Sequence, residues 1–153
     1  MNVIANSPQA RDIASLVHQQ SNLKAYRDQG GVLMAKGDGV YVTDSDGKRY
    51  LEAMAGLWCA SLGFSEKRLA EAAYKQMLEL PYYHTFFDKG HLPSVDLAEK
   101  LLSVAPAGMS KVLFQCSGSE ANDAAIKLIW YYHNAIGKPE KKKIIGRERG
   151  YHG

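Results

Sequence analysis

Between Val112 and Gly146 a short apolar run, a tight polar turn, a long amphipathic stretch and a second apolar run follow in order, and few folds accommodate that succession. Val112-Leu113-Phe114-Gln115-Cys116 lacks alternation, as in a strand buried on both faces, and it leads directly into Ser117-Gly118-Ser119-Glu120. Ala121, Ala124, Ala125, Leu128, Ile129 and Tyr132 then fall on one helical face. Gly137, with Pro139 beyond it, ends the helix, and Lys143-Ile144-Ile145-Gly146 resumes a strand pattern. Strand, helix and strand in this order predict a right-handed βαβ unit and hence an α/β fold with a parallel sheet. Two parallel strands leave both outer edges unpaired, so the chain reads as the front part of something longer.

The pattern upstream is different. Ser7 suits a helix cap, Pro8 the first helical position, and Ile13, Leu16 and Val17 share a face. After Gly30-Gly31, the segments Val32 to Met34, Val40 to Thr43 and Lys48 to Leu51 read as strands. Lys36-Gly37-Asp38-Gly39 and Asp44-Ser45-Asp46-Gly47 join them into a small antiparallel meander. From Glu52 to Phe64, Met54, Leu57, Trp58, Cys59 and Leu62 keep neither period, which predicts a buried irregular turn. Two helices follow. One lies behind Ser65, with Leu69, Ala72, Ala73, Gln76, Met77 and Leu80 before Pro81; the other lies behind Ser94, with Ala98, Leu101 and Leu102 before Pro106. The expected division is an N-terminal helix and small β segment over 1–64, then the opening of a large α/β domain over 65–153.

Charge narrows the partners. Nineteen Lys and Arg against 16 Asp and Glu, among 153 residues, leave +3, too small an excess for a nucleic-acid footprint, and the run Lys141 to Lys143 reads as a solvated face. No stretch of 18 apolar residues occurs, and the start lacks a basic region followed by an apolar run, so neither a membrane partner nor a secretory signal is expected. Cys59 and Cys116 have no CxxC spacing and no clustered His, so no metal is called; buried reduced thiols in the cytoplasm are the expectation.

The turn Ser117-Gly118-Ser119-Glu120 is the place where chemistry could gather. A helix start offers unpaired N–H groups and the positive end of a dipole, Gly118 lets an anion approach the backbone, and Ser119 adds a hydroxyl. The same residues also form a capping box that needs no ligand. Neither GxxxxGK[ST] nor GxGxxG is present, which disfavours the nucleotide cradles.

The string VLFQCSGSEANDAAIKLIW, Val112 to Trp130, resembles the class III aminotransferases, pyridoxal-phosphate enzymes of fold type I. The resemblance extends from about Gly31 onward and includes Ala55-Gly56-Leu57-Trp58, Tyr82-Tyr83-His84-Thr85-Phe86-Phe87 and Tyr151-His152-Gly153. The Leu-Trp and Phe-Phe pairs are most similar to omega-aminotransferases. The resemblance implies that Gly118 and Ser119 hold the cofactor phosphate, that Tyr151 lies against the pyridine ring, and that His152 stands one layer further out. It implies that Leu57 and Trp58 line the pocket for the amine side chain, and that Phe86 and Phe87 reach a partner's site across a dimer interface. Read without it, Tyr151 and Trp58 are packing residues, the Phe pair is an apolar patch and His84 is structural.

The family's Schiff-base lysine, the aspartate paired with the pyridine nitrogen and the acceptor arginine resemble features beyond Gly153. Lys36, Lys111 and Lys127 do not match the lysine's position, so no catalytic residue is assigned. The implied activity is transfer of an amino group from a primary amine or omega-amino acid to a keto acid such as pyruvate, in a homodimer or higher oligomer. An aminomutase of the same fold, or a catalytically dead binding protein, is the alternative.

Overall fold

A computed structural model gives the structure of residues 4–151, so His152 lies outside the described residues. The chain divides into two compact units, one ending at Tyr82 and the other beginning at Tyr83.

The first unit opens with α1 (Pro8–Ser15), whose Ser7 cap accepts the Ala10 N–H at 3.1 Å, as its sequence predicts. A second helix, α2 (Leu23–Gln29), was not expected. Asn22 caps it, accepting the Ala25 N–H at 3.1 Å. What stabilises so short a helix is a long-range clamp: the Tyr26 hydroxyl donates to Asp12 of α1, and His18 Nε2 lies 3.0 Å from the same carboxylate with its ring 4.2 Å from that of Tyr26.

The meander is present, shifted in register. Strands β1 (Met34–Asp38), β2 (Tyr41–Asp44) and β3 (Arg49–Leu51) form one antiparallel sheet in the order β1-β2-β3. Lys36 to Asp38, expected in the connecting turn, belong to the ladder and pair with Thr43, Val42 and Tyr41. The actual turn is tighter because Gly39, at φ +56°, reverses the chain. Asp44 closes the second hairpin: its carboxylate accepts from the N–H groups of Asp46 and Lys48 and from the Tyr50 hydroxyl, at 3.0, 2.8 and 2.7 Å. Between Leu51 and α4 (Lys67–Glu79) comes α3 (Ala55–Trp58), a four-residue turn described below. Helix α4 is capped by Glu66 rather than Ser65, because Ser65 sits at φ +61° and spends its hydroxyl on the Gly37 carbonyl at 2.6 Å.

In the second unit, α5 (Leu92–Val104) starts earlier than expected: His91 caps it through Nδ1, which accepts the Ser94 N–H, and Ser94 lies inside. Helix α6 (Gly118–Ala135) begins and ends as predicted, with Gly137 beyond it at φ +74°. The flanking segments correct the βαβ expectation. Val112 to Cys116 and Lys143 to Gly146 form no strand, because a strand exists through its ladder and neither segment takes part in one among the described residues. Just before the second segment, the Lys142 carbonyl accepts the Trp130 indole N–H of α6 at 3.0 Å.

Burial is sparse. Among the described residues Val42 and Asp44, each 7% exposed, are the buried ones. The thiols of Cys59 and Cys116 are free as expected but exposed, not buried, since one ends the α3 turn and the other precedes α6. Among the described residues, no helix is long and apolar enough to cross a membrane.

Candidate active site

The turn at the head of α6 forms a capping box. Ser117 Oγ accepts the Glu120 N–H at 3.2 Å, and Glu120 Oε2 reaches back to the Cys116 N–H at 2.9 Å, one residue beyond the usual reciprocal partner. The box therefore uses Ser117 and Glu120. It leaves the N–H groups of Gly118 and Ser119 and the Ser119 hydroxyl without an acceptor among the described residues. Nothing stands within 4 Å of where a Gly118 side chain would point. Donors at the positive end of an 18-residue helix, with open space beside Gly118, form a set suited to a phosphate dianion.

Elsewhere in this unit Tyr83, His84, Phe86 and Phe87 form a run of aromatic contacts, with ring centroids 4.7, 6.1 and 6.4 Å apart in turn. His84 Nδ1 accepts the Phe86 N–H at 3.3 Å. Phe87 and Asp88 both have positive φ, and the two Phe rings are exposed. Tyr151 is also exposed, at 87%. Lys127 pairs with Asp123 on the outer surface of α6, Lys36 is a strand residue of β1, and Lys111 precedes the Val112 segment, so none is placed as a reacting amine.

The first unit carries the feature that sequence reasoning missed. Ala55, Gly56, Leu57 and Trp58 have φ of +49°, +59°, +66° and +69°, so α3 is one turn of left-handed helix. Three of the four are not glycine, and left-handed geometry costs L-residues roughly 1–2 kcal/mol each, on the order of 3–6 kcal/mol here. Strain of that size persists only where surrounding contacts enforce it. At the exit, Phe64 and Gly39 exchange both backbone bonds, at 2.7 and 3.0 Å, and the Phe64 ring fits against Gly37, where any side chain would collide with it. At the entrance, Glu52 holds the turn by its carboxylate. The result is a turn that displays Leu57 and Trp58 outward, 63% and 78% exposed, rather than packing them in a core. The only signal in the sequence is the lone Gly56 among Ala, Met and Leu.

The pattern of the family described as aminotransferase class-III matches residues 24–153. The chain belongs to the class III aminotransferases. Vanillin aminotransferase of Capsicum chinense is 54% identical over 127 residues, 82% of this chain and 28% of that protein. Gamma-aminobutyrate transaminase 1, mitochondrial, of Oryza sativa subsp. indica is 54% identical over 123 residues, 80% of this chain and 24% of that protein. Among solved structures, the omega transaminase from Pseudomonas jessenii in complex with PMP superposes with a TM-score of 0.93 at 52% identity, covering 96% of this chain and 32% of its own. A thermostable omega transaminase variant, W58G, engineered for asymmetric synthesis of enantiopure bulky amines, gives 0.93 at 50% identity, over 96% of this chain and 33% of its own. The chain thus spans about a quarter to a third of the length of its class III relatives. Its helices and small antiparallel sheet are those of a fold type I transaminase.

Proposed function

We propose that this chain supplies the N-terminal part of an omega-aminotransferase that moves an amino group from a primary amine or omega-amino acid to a keto acid such as pyruvate. The observation that carries the reading is the helix head of α6, where the cap leaves Gly118 N–H, Ser119 N–H and the Ser119 hydroxyl free in a chain of this family. Pyridoxal phosphate, when bound, supplies the electron sink for the reaction. Gly118 and Ser119 would hold its phosphate and so fix one end of the molecule, and Tyr151 would offer a flat aromatic face to its ring. Leu57 and Trp58 wall the space that receives the donor's side chain. The engineered W58G relative, described for bulky amines, supports that assignment. Phe86 and Phe87, exposed side by side, suit a surface covered by a second subunit, which supports a homodimer or higher assembly. Two exposed, unpaired thiols suit a reducing compartment such as the cytoplasm. Small-molecule amines and keto acids are the partners; neither nucleic acid nor a membrane is proposed.

The test uses the protein that carries this sequence, loaded with pyridoxal phosphate and given a primary amine and pyruvate. Alanine and the carbonyl product of the donor are expected in equal amounts. A rearranged amino acid formed without any acceptor points to the aminomutase reaction, and cofactor binding without turnover points to a binding protein; either outcome overturns the proposal.

A further inference from the structure

We propose that Glu52 is a positioning residue for donor specificity, its carboxylate holding the left-handed turn that displays Leu57 and Trp58. The proposal deepens the aminotransferase reading of this site and rests on it. Glu52 is itself fixed, because its own N–H donates to the Val40 carbonyl beside β2 at 2.9 Å. From that anchored backbone one carboxylate oxygen accepts the Met54 N–H at 3.0 Å and the other accepts the Gly56 N–H at 2.9 Å. The two bonds bracket Ala55, the residue at which the chain enters left-handed geometry. Within the turn, the Trp58 N–H donates to Met54 O at 2.7 Å and the Cys59 N–H to Ala55 O at 2.9 Å, so the orientation imposed at Met54 and Ala55 passes directly to Trp58.

Leu57 and Trp58 are exposed, so their direction is set by the backbone beneath them and not by side-chain packing. A carboxylate suits this bridge because both oxygens are acceptors. Glutamine offers one acceptor and one donor, and its amide would oppose one of the two N–H groups; alanine offers neither. Glu52 touches no reacting atom in this scheme. It acts by fixing where the pocket wall stands.

The experiment compares the wild type with E52A and E52Q in the loaded full-length protein that carries this sequence, using one small alkyl amine and one bulky aryl-alkyl amine as donors. E52A is expected to change the ratio of kcat/KM between the two donors by about tenfold, with the KM for pyruvate and the affinity for pyridoxal phosphate unchanged, and E52Q to fall between. Hydrogen exchange across residues 52–64, measured on the protein without cofactor or donor, is expected to accelerate in E52A. An equal loss of kcat for both donors, or an unaltered ratio, overturns the proposal. Should E52A fail to fold, the E52Q ratio decides. If the wild type transfers no amino group, the aminotransferase reading fails by itself, and unchanged exchange in E52A then removes Glu52 from the turn as well.

Discussion

Ser119 occupies the second position of α6, where helix geometry leaves an N–H without a partner, and its hydroxyl is unclaimed by the cap. Ser119→Ala removes a donor whose alternative partner in the free protein is water, so folding changes little. A hydrogen bond to a charged group is worth about 1.5–3 kcal/mol, and the affinity of the loaded protein for pyridoxal phosphate is expected to fall by roughly tenfold to a hundredfold in a cofactor titration. Unchanged affinity would reduce the turn to its capping box. Trp58 separates pocket shape from cofactor binding: Trp58→Leu is expected to shift relative kcat/KM toward bulkier amines and to leave cofactor occupancy unchanged. Loss of cofactor or an early melt with the same ranking of amines would make Trp58 a packing residue. The Ser-Gly-Ser-Glu turn was legible because caps are local, whereas Gly56 alone does not announce that Leu57 and Trp58 lie at positive φ.

The hairpin β2–β3 carries a pH prediction of its own. The Tyr50 hydroxyl above all, then the N–H groups of Lys48 and Asp46, hold the Asp44 carboxyl below its ordinary value against the cost of burying it. A carboxyl whose folded pKa is depressed contributes stability that is complete above its unfolded pKa and disappears as pH falls through the folded one. The contribution is therefore lost below about pH 4, and Asp44→Asn is expected to flatten the acid limb of a stability profile followed by circular dichroism. Gly63 makes a backbone prediction. At φ +90°, a side chain there would stand 2.9 Å from the Gly39 carbonyl oxygen, which is backbone and cannot move aside. Gly63→Ala is expected to cost more than about 1 kcal/mol in a urea titration, by loosening the Gly39–Phe64 bridge at the exit of α3. Among the elements, α1 and α6 were legible from capping chemistry and helical period, and α4 and α5 from helical period to within a few residues although their caps are Glu66 and His91. Helix α2 was not, because its stabilising contact is the distant Asp12–Tyr26 pair rather than anything within seven residues of weak periodicity.

Over the whole molecule, apolar surface stays in solvent: Met77, Leu78, Leu113, Ile145 and Tyr131 are exposed beside many others, and Val42 is the buried hydrophobic residue among those described. A soluble monomer rarely leaves so much uncovered. The 153 residues prepared alone are expected to self-associate, read by light scattering, and a monodisperse monomer that melts cooperatively would contradict this. The sequence by itself determined what is written in short spacing: the caps at Ser7 and Ser117, the helix of 18 residues, the antiparallel meander and the donors at Gly118 and Ser119. Hydrogen bonds at separations of a few residues create those features, so neighbouring residue types specify them. Tertiary structure decided the rest. Val112 to Cys116 has the composition of a buried strand and forms none, since a parallel strand is made by a partner distant in the chain. Likewise the left-handed turn of α3 exists because Glu52 at one end and the Gly39–Phe64 bridge at the other offset a backbone conformation that Ala55, Leu57 and Trp58 would not adopt on their own.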